Sequence, residues 1–184
     1  MERAQEILYV LRHMYDRGEL PKCKVFLDSP LAISATKIFL QYPEYFNEAT
    51  KKMVQEGKNP FIFPYVHFTT TVEESKSINA VDSGAIILAG EWHVLHRRKD
   101  KTSSKAQSLE GLESSVIFVG YQTEGTLGRA IIDGAKTVKI YGEEIAVKAK
   151  IYTINGFSSH ADKPVLLQWL KNFKDKETVY IIHE

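Results

Sequence analysis

Cysteine occurs once in these 184 residues, at Cys23. That excludes an internal disulfide framework and a cysteine-rich zinc knuckle. Cys23 sits beside a strand-like run, where an inert buried thiol is a simpler expectation than a nucleophile. No run of about 18 apolar residues occurs, so no transmembrane helix is expected. The first residues, "MERAQEILYVLRHMYDRGEL", are charged and amphipathic rather than a leader with an apolar centre. Those absences predict a reducing, cytoplasmic location. The formal net charge is only +1, which does not indicate a globally basic nucleic-acid protein but leaves room for a local basic patch. Neither G-x-G-x-x-G nor a P-loop follows a strand, which weakens a nucleotide-binding reading. No internal repeat or low-complexity segment is visible.

What is present is ordinary globular material: 43% hydrophobic and 26% charged residues, enough for a real core. The length suits one domain, or one domain and part of another. Ala4, Ile7, Leu8, Leu11 and Met14 fall at helical spacing, with Gly18 as a stop. "KVFLD" reads as a buried strand that runs into Ser29, a natural N-cap, and Pro30 at the first helical position. "LAISATKIFLQY" continues that helix, and Pro43 begins a weaker helical stretch. "YVHFTT", "GAIILAG" and "SVIFVGY" read as further strands, "TVEESKSINA" and "EGTLGRAIIDG" as helices, the second closed by Gly134. Strands alternating with helices predict an α/β layer with a parallel sheet. The apolar strand runs predict cover on both faces.

After Gly134 the pattern changes. "KTVKIYGEEIAVKAKIYTING" alternates apolar with charged residues around Gly142, as antiparallel strands do. A helix from about Lys163 to Phe173 and a last strand, "TVYII", follow. This change places a boundary near residue 135.

Of the six histidines, His13 and His67 carry no special setting, and the H-x-x-H of His93 and His96 is weak for metal without a third ligand. His160 stands in "NGFSSHAD", after an extended run and before a helix with Asp162 as its N-cap and Pro164 in its first turn. Free N–H groups at a helix start, the hydroxyls of Ser158 and Ser159, and an imidazole form a place to hold phosphate. The imidazole can also give a proton to a leaving group. His183, directly after a buried strand, is placed where a neutral imidazole can ligate a metal.

"DSPLAISATKIF", "VIFVGYQTEGTLGRAIIDGAKTVKIYGEEIAVKAKIYTINGFSSHAD" and the closing "IIH" resemble the metallo-β-lactamase-fold nucleases of the β-CASP group, RNA-processing hydrolases. In that group a β-CASP domain interrupts the metallo-β-lactamase fold, and the chain then returns to finish the first fold. The resemblance therefore implies an α/β, parallel-sheet β-CASP domain over 1–135 and the returning C-terminal part of a metallo-β-lactamase fold over 136–184. It implies that His160 contacts the scissile phosphate and assists the leaving group. It also implies that His183 matches the histidine of the family's final "HGE", a ligand to one of two zinc ions. Paired cations of that kind activate water and stabilise both oxygens of an in-line phosphoryl displacement. RNA is the partner implied for the complete enzyme; a membrane is not.

Two departures from the family pattern bear on activity. The main zinc motif, H-x-H-x-D-H, and the later His and Asp ligands are absent from these residues. One ligand cannot hold a dinuclear site, so this polypeptide alone is expected to lack nuclease activity and to bind zinc weakly at best. A noncatalytic RNA- or protein-binding module of the same family is the alternative. The second departure follows "AIILAG", where the family continues roughly as "SGMCTGGRIKHHL". This chain reads "EWHVLHRRKDKTSSKAQSLEG" over Glu91–Gly111. Synonymous codons for that stretch, read one nucleotide later, can spell "SGMCFTGGKIKHHLKHNLWKG". A compensated frameshift, and with it a locally misfitting segment, is the expectation; a genuine polar loop is the alternative. The ending "HE" in place of "HGE" fits the same expectation of damage or truncation.

Overall fold

The computed structural model of the chain describes residues 3–81, 84–90, 109–111, 113–140, 142–157, 161–173, 178 and 180. The elements run as α1 (Arg3–Asp16), β1 (Lys24–Leu27), α2 (Pro30–Gln41), α3 (Glu48–Gln55), β2 (Val66–Phe68), α4 (Val72–Ser77) and β3 (Ala85–Leu88). They continue with β4 (Ser115–Val119), α5 (Leu127–Ile132), β5 (Thr137–Ile140), β6 (Glu143–Ala146), β7 (Lys150–Ile154) and α6 (Lys163–Leu170). Short 3-10 turns at Pro43–Tyr45 and Ile78–Ala80 join their neighbours.

The helix boundaries follow from capping chemistry. Ser29 accepts a hydrogen bond from the Ala32 N–H, and Pro30 opens α2 with its φ already suited to a helix. Thr71 and Glu74 form a reciprocal capping box at α4. At α6 the Asp162 carboxylate accepts from the Val165 N–H at 3.0 Å. The stop expected at Gly18 is a residue with φ +69, a conformation that costs glycine little.

β1 is the centre of a three-stranded parallel sheet ordered β2–β1–β3, with Val25 opposite Val66 and Ile86. Beneath it Leu8, Leu11, Val25, Leu27, Ile33, Phe61 and Phe63 form one core cluster. Burial of side chains this size stabilises by roughly 1.5–3 kcal/mol each relative to exposure. The helical stripe expected on α1 packs there, together with two polar residues that apolar periodicity does not reveal, Gln5 and Arg12. Gln5 Nε2 donates to the Ala32 carbonyl and Thr36 Oγ1; Arg12 Nη1 donates to the Asn59 and Ile62 carbonyls. A second cluster joins Leu109, Phe118, Ile131, Val138 and Ile145, and so draws on residues from both sides of position 135.

The α/β class with parallel pairing agrees with the sequence pattern, and two expectations are corrected. β5 and β6 form the antiparallel hairpin around Gly142, but β7 does not extend it. β7 pairs in parallel with β4, from Ser115 opposite Lys150 to Val119 opposite Ile154. Along β7 only Ile151 is partly buried and the other four residues are exposed, so its pattern carries no sign of the direction of its neighbour. Nor are all strands covered twice. β1 is buried along Val25–Leu27, whereas Ile87 of β3 is 45% exposed and Ile117 of β4 is 52% exposed. Ile86, Leu88, Val116 and Phe118 on the opposite faces carry the packing. Most of the expected last strand, and Glu91–Gly111 apart from Leu109–Gly111, lie outside the described residues. Among the described residues no helix is long and apolar enough to cross a membrane.

Candidate active site at the carboxyl edge of two parallel strands

β4 and β7 run side by side and end together. The Gly120 N–H donates to the Ile154 carbonyl at 3.1 Å, which fastens the last residue of β7 beside the first residue after β4. Two sequence segments therefore leave the same edge: Gly120–Tyr121–Gln122–Thr123 from β4 and Asn155–Gly156–Phe157 from β7. The carboxyl edge of parallel strands is where open α/β sheets hold ligands, because the loops there are free to vary over a rigid base. The sequence "NGFSSHAD" begins at that edge. Ser158, Ser159, His160 and His183, the four residues singled out for substrate, catalysis and metal, lie outside the described residues, as do His93 and His96.

On the far side of the segment, Asp162 and α6 are in place. The N-terminal amides of α6 were expected to help cradle a phosphate. The Asp162 carboxylate already takes the Val165 N–H, so that helix end carries a negative group of its own. Pro164, in the first turn, offers no N–H.

Gly120 defines the opposite flank. Its φ is +112, a conformation suited to glycine, and a Cβ there would lie 2.5 Å from Cζ of Arg3. The same Cβ would lie 2.8 Å from Arg3 Nε and from Nη1. The missing side chain makes room for a guanidinium that reaches over from the start of α1. Neither Arg3 nor this use of Gly120 could be read from the sequence, because the two are far apart along the chain. Beside them Tyr121 is 71% exposed. At α5, Thr126 caps the Arg129 N–H, and the Arg129 guanidinium pairs with Asp133 at 2.9 Å. Its proton is held above the ordinary range by the hydrogen bond to Asp133 and that carboxylate's charge.

A second polar group lies at the carboxyl edge of the other sheet. Asp28 follows β1, is 5% exposed, and accepts hydrogen bonds from Thr69 Oγ1 at 2.5 Å and Ser75 Oγ at 2.6 Å. The "DSP" sequence signals this only in part, since an acid that ends an apolar strand must find buried donors.

The remaining candidates have plain settings. The ring of His13 meets Tyr9 edge-on at 4.4 Å, and His67 lies 5.5 Å from Phe26. Cys23 is half-buried, and burial pushes its thiol up from the ordinary value, away from the reactive thiolate. Among the described residues no three His, Cys, Asp or Glu side chains converge as a metal site would need.

Comparison with known proteins adds the family. Residues 4–131 match the Beta-Casp domain, and residues 144–183 match the Zn-dependent metallo-hydrolase RNA specificity domain. Ribonuclease TTHA0252 of Thermus thermophilus is 35% identical over 100% of this chain and 41% of its own length. Transcription termination factor FttA of Methanocaldococcus jannaschii is 31% identical over 98% of this chain and 29% of its own length. The factor of the same name from Pyrococcus abyssi is 32% identical over 98% of this chain and 28% of its length. The chain therefore spans about two fifths of the first relative and less than a third of the other two. With both domain matches in order along its length, this chain belongs to the β-CASP group of metallo-β-lactamase-fold RNA-processing nucleases.

Proposed function

We propose that this chain is part of a zinc-dependent RNA-processing nuclease that hydrolyses phosphodiesters, and that it is inactive as the isolated polypeptide. The observation that carries the reading is the shared edge of β4 and β7, which sets the start of "NGFSSHAD" beside the Gly120–Thr123 turn. On this reading Ser158 and Ser159 hold the phosphate by their hydroxyls. His160 contacts the scissile phosphate and gives a proton to the leaving oxygen. His183 serves as one zinc ligand; the other ligands lie in sequence that the longer relatives carry and these residues do not. A β-CASP domain over 1–135, followed by the returning metallo-β-lactamase part, is supported by matches that end at 131 and resume at 144.

A second reading, a noncatalytic RNA- or protein-binding module, draws support from α6. Val165, Leu166, Leu167 and Trp169 are each at least half exposed, an apolar surface suited to contact with more polypeptide. Under the leading reading that polypeptide is the rest of the lactamase fold; under the second it is a partner. The genomic sequence upstream of Met1 separates them, since H-x-H-x-D-H in the same frame supports the nuclease. A phosphodiesterase assay of the pure chain with added zinc tests the inactivity directly. Background turnover is expected, and robust turnover overturns it.

A further inference from the structure

Six arginines occur in the sequence, and four of them lie among the described residues. Arg12, Arg17 and Arg129 are each spent on a carboxylate, Asp16, Glu19 and Asp133, at 2.7–3.0 Å. Arg3 is the exception. It is exposed, and no described carboxylate, carbonyl or hydroxyl accepts a hydrogen bond from it. Its guanidinium lies over Gly120, in space that any other residue's Cβ would fill.

The place where this cation is held matters. Gly120 is fastened to Ile154, and both segments of the candidate site leave from that pair. The N-terminus of α6, the other source of anion-binding donors nearby in sequence, is already taken by Asp162. A guanidinium presents five donors in a planar fork that fits two phosphate oxygens at once, and it stays charged at any physiological pH. The neighbouring exposed ring of Tyr121 offers a base a face to stack on. With a net charge of only +1, such binding has to come from individual placed cations rather than from a general field.

We infer that Arg3 is a phosphate-contacting residue for single-stranded RNA at the β4–β7 edge, with Gly120 as the seat that positions it. This rests on the RNA reading above and adds a residue to it.

The test is fluorescence anisotropy of a short labelled oligouridine with the 184-residue chain across a salt series. Arg3→Ala and Arg3→Met, the second of which keeps the apolar stem, should both weaken binding. Each should also flatten the slope of log K against log salt by about 0.7, the value of one phosphate contact on a single strand. Arg3→Lys should retain the wild-type slope, because its ammonium still neutralises a phosphate. Wild-type binding with an unchanged slope in Arg3→Met overturns the role of Arg3 and leaves the RNA reading standing. A salt slope in Arg3→Lys as flat as in Arg3→Met shows that the charge at position 3 does not neutralise a phosphate, and likewise overturns it. Absence of wild-type binding overturns the RNA reading for this chain, and the role of Arg3 with it.

Discussion

The Ser75 hydroxyl donates to Asp28 Oδ1 across 2.6 Å, tying α4 to the end of the central strand β1. Thr69, just past β2, donates to the same oxygen, so one buried carboxylate joins three elements of the first sheet. Asp28→Ala strips the acceptor from the buried Ser75 hydroxyl and leaves the Thr69 hydroxyl only the Leu27 carbonyl, at 3.3 Å. An unmet buried group costs roughly 1–3 kcal/mol, so a loss of about that size is expected. Urea unfolding should show a lower midpoint with an unchanged slope.

At α4 the capping box makes stability depend on pH. The hydroxyl of Thr70, followed by the Thr70 and Thr71 backbone N–H groups, holds the Glu74 carboxyl below its ordinary value. A carboxyl lowered in the folded state stabilises it above the unfolded-state value, and the benefit fades as pH falls through the lowered folded value. Glu74→Ala should therefore be less stable than wild type at neutral pH. The gap should close in acid once that carboxyl is protonated in both states; urea midpoints at the two pH values measure it.

Ile131 is 1% exposed at the centre of the second cluster. Ile131→Ala should cost roughly 2–5 kcal/mol, the usual range for a large-to-small change that leaves a cavity. Leu8→Ala, fully buried in the first cluster, should fall in the same range. Thermal unfolding of each variant checks both values.

On α6 the expectation is the reverse. Leu166 and Leu167 are each 50% exposed, so Leu166→Gln with Leu167→Gln should change the stability of this chain by less than about 0.5 kcal/mol per site. The same pair should markedly destabilise a longer polypeptide in which α6 is covered. Equal, near-zero effects in both would show that nothing packs on this face.

The frame of Glu91–Gly111 is settled by nucleic acid. If the segment arose by a compensated frameshift, its codons admit the shifted reading "SGMCFTGGKIKHHLKHNLWKG" throughout. A single incompatible codon ends that account.

Many element ends were legible because their signals are local. Ser29 before Pro30 and the glycines at 18, 134 and 142 mark element ends by chemistry within one turn. The partner of β7 was not legible. Its "KIYTI" buries only Ile151 in part, and so open a strand does not tell whether the neighbouring strand runs with it or against it. Family resemblance brought out the motif containing Gly120, but its positive φ and the approach of Arg3, a contact between distant parts of the chain, show only in the structure. The buried amide of Gln5 and guanidinium of Arg12 escaped for a related reason: their carbonyl partners are supplied by other segments.

The link between β6 and β7 sets a length as well as a connection. Residues 147–149 are held where the Lys148 and Ala149 N–H groups both donate to the Leu109 carbonyl, at 2.7 and 2.8 Å. From that anchor β7 runs five residues to its end. Adding or deleting one residue in this stretch would shift the strand by about 3.3 Å and exchange its two faces. Tyr152 would then turn inward in place of Ile151, and Asn155 would lose its station beside Gly120. The chain between Leu109's partners and "NGFSSHAD" thus acts as a ruler, more tolerant of a changed letter than of a changed count.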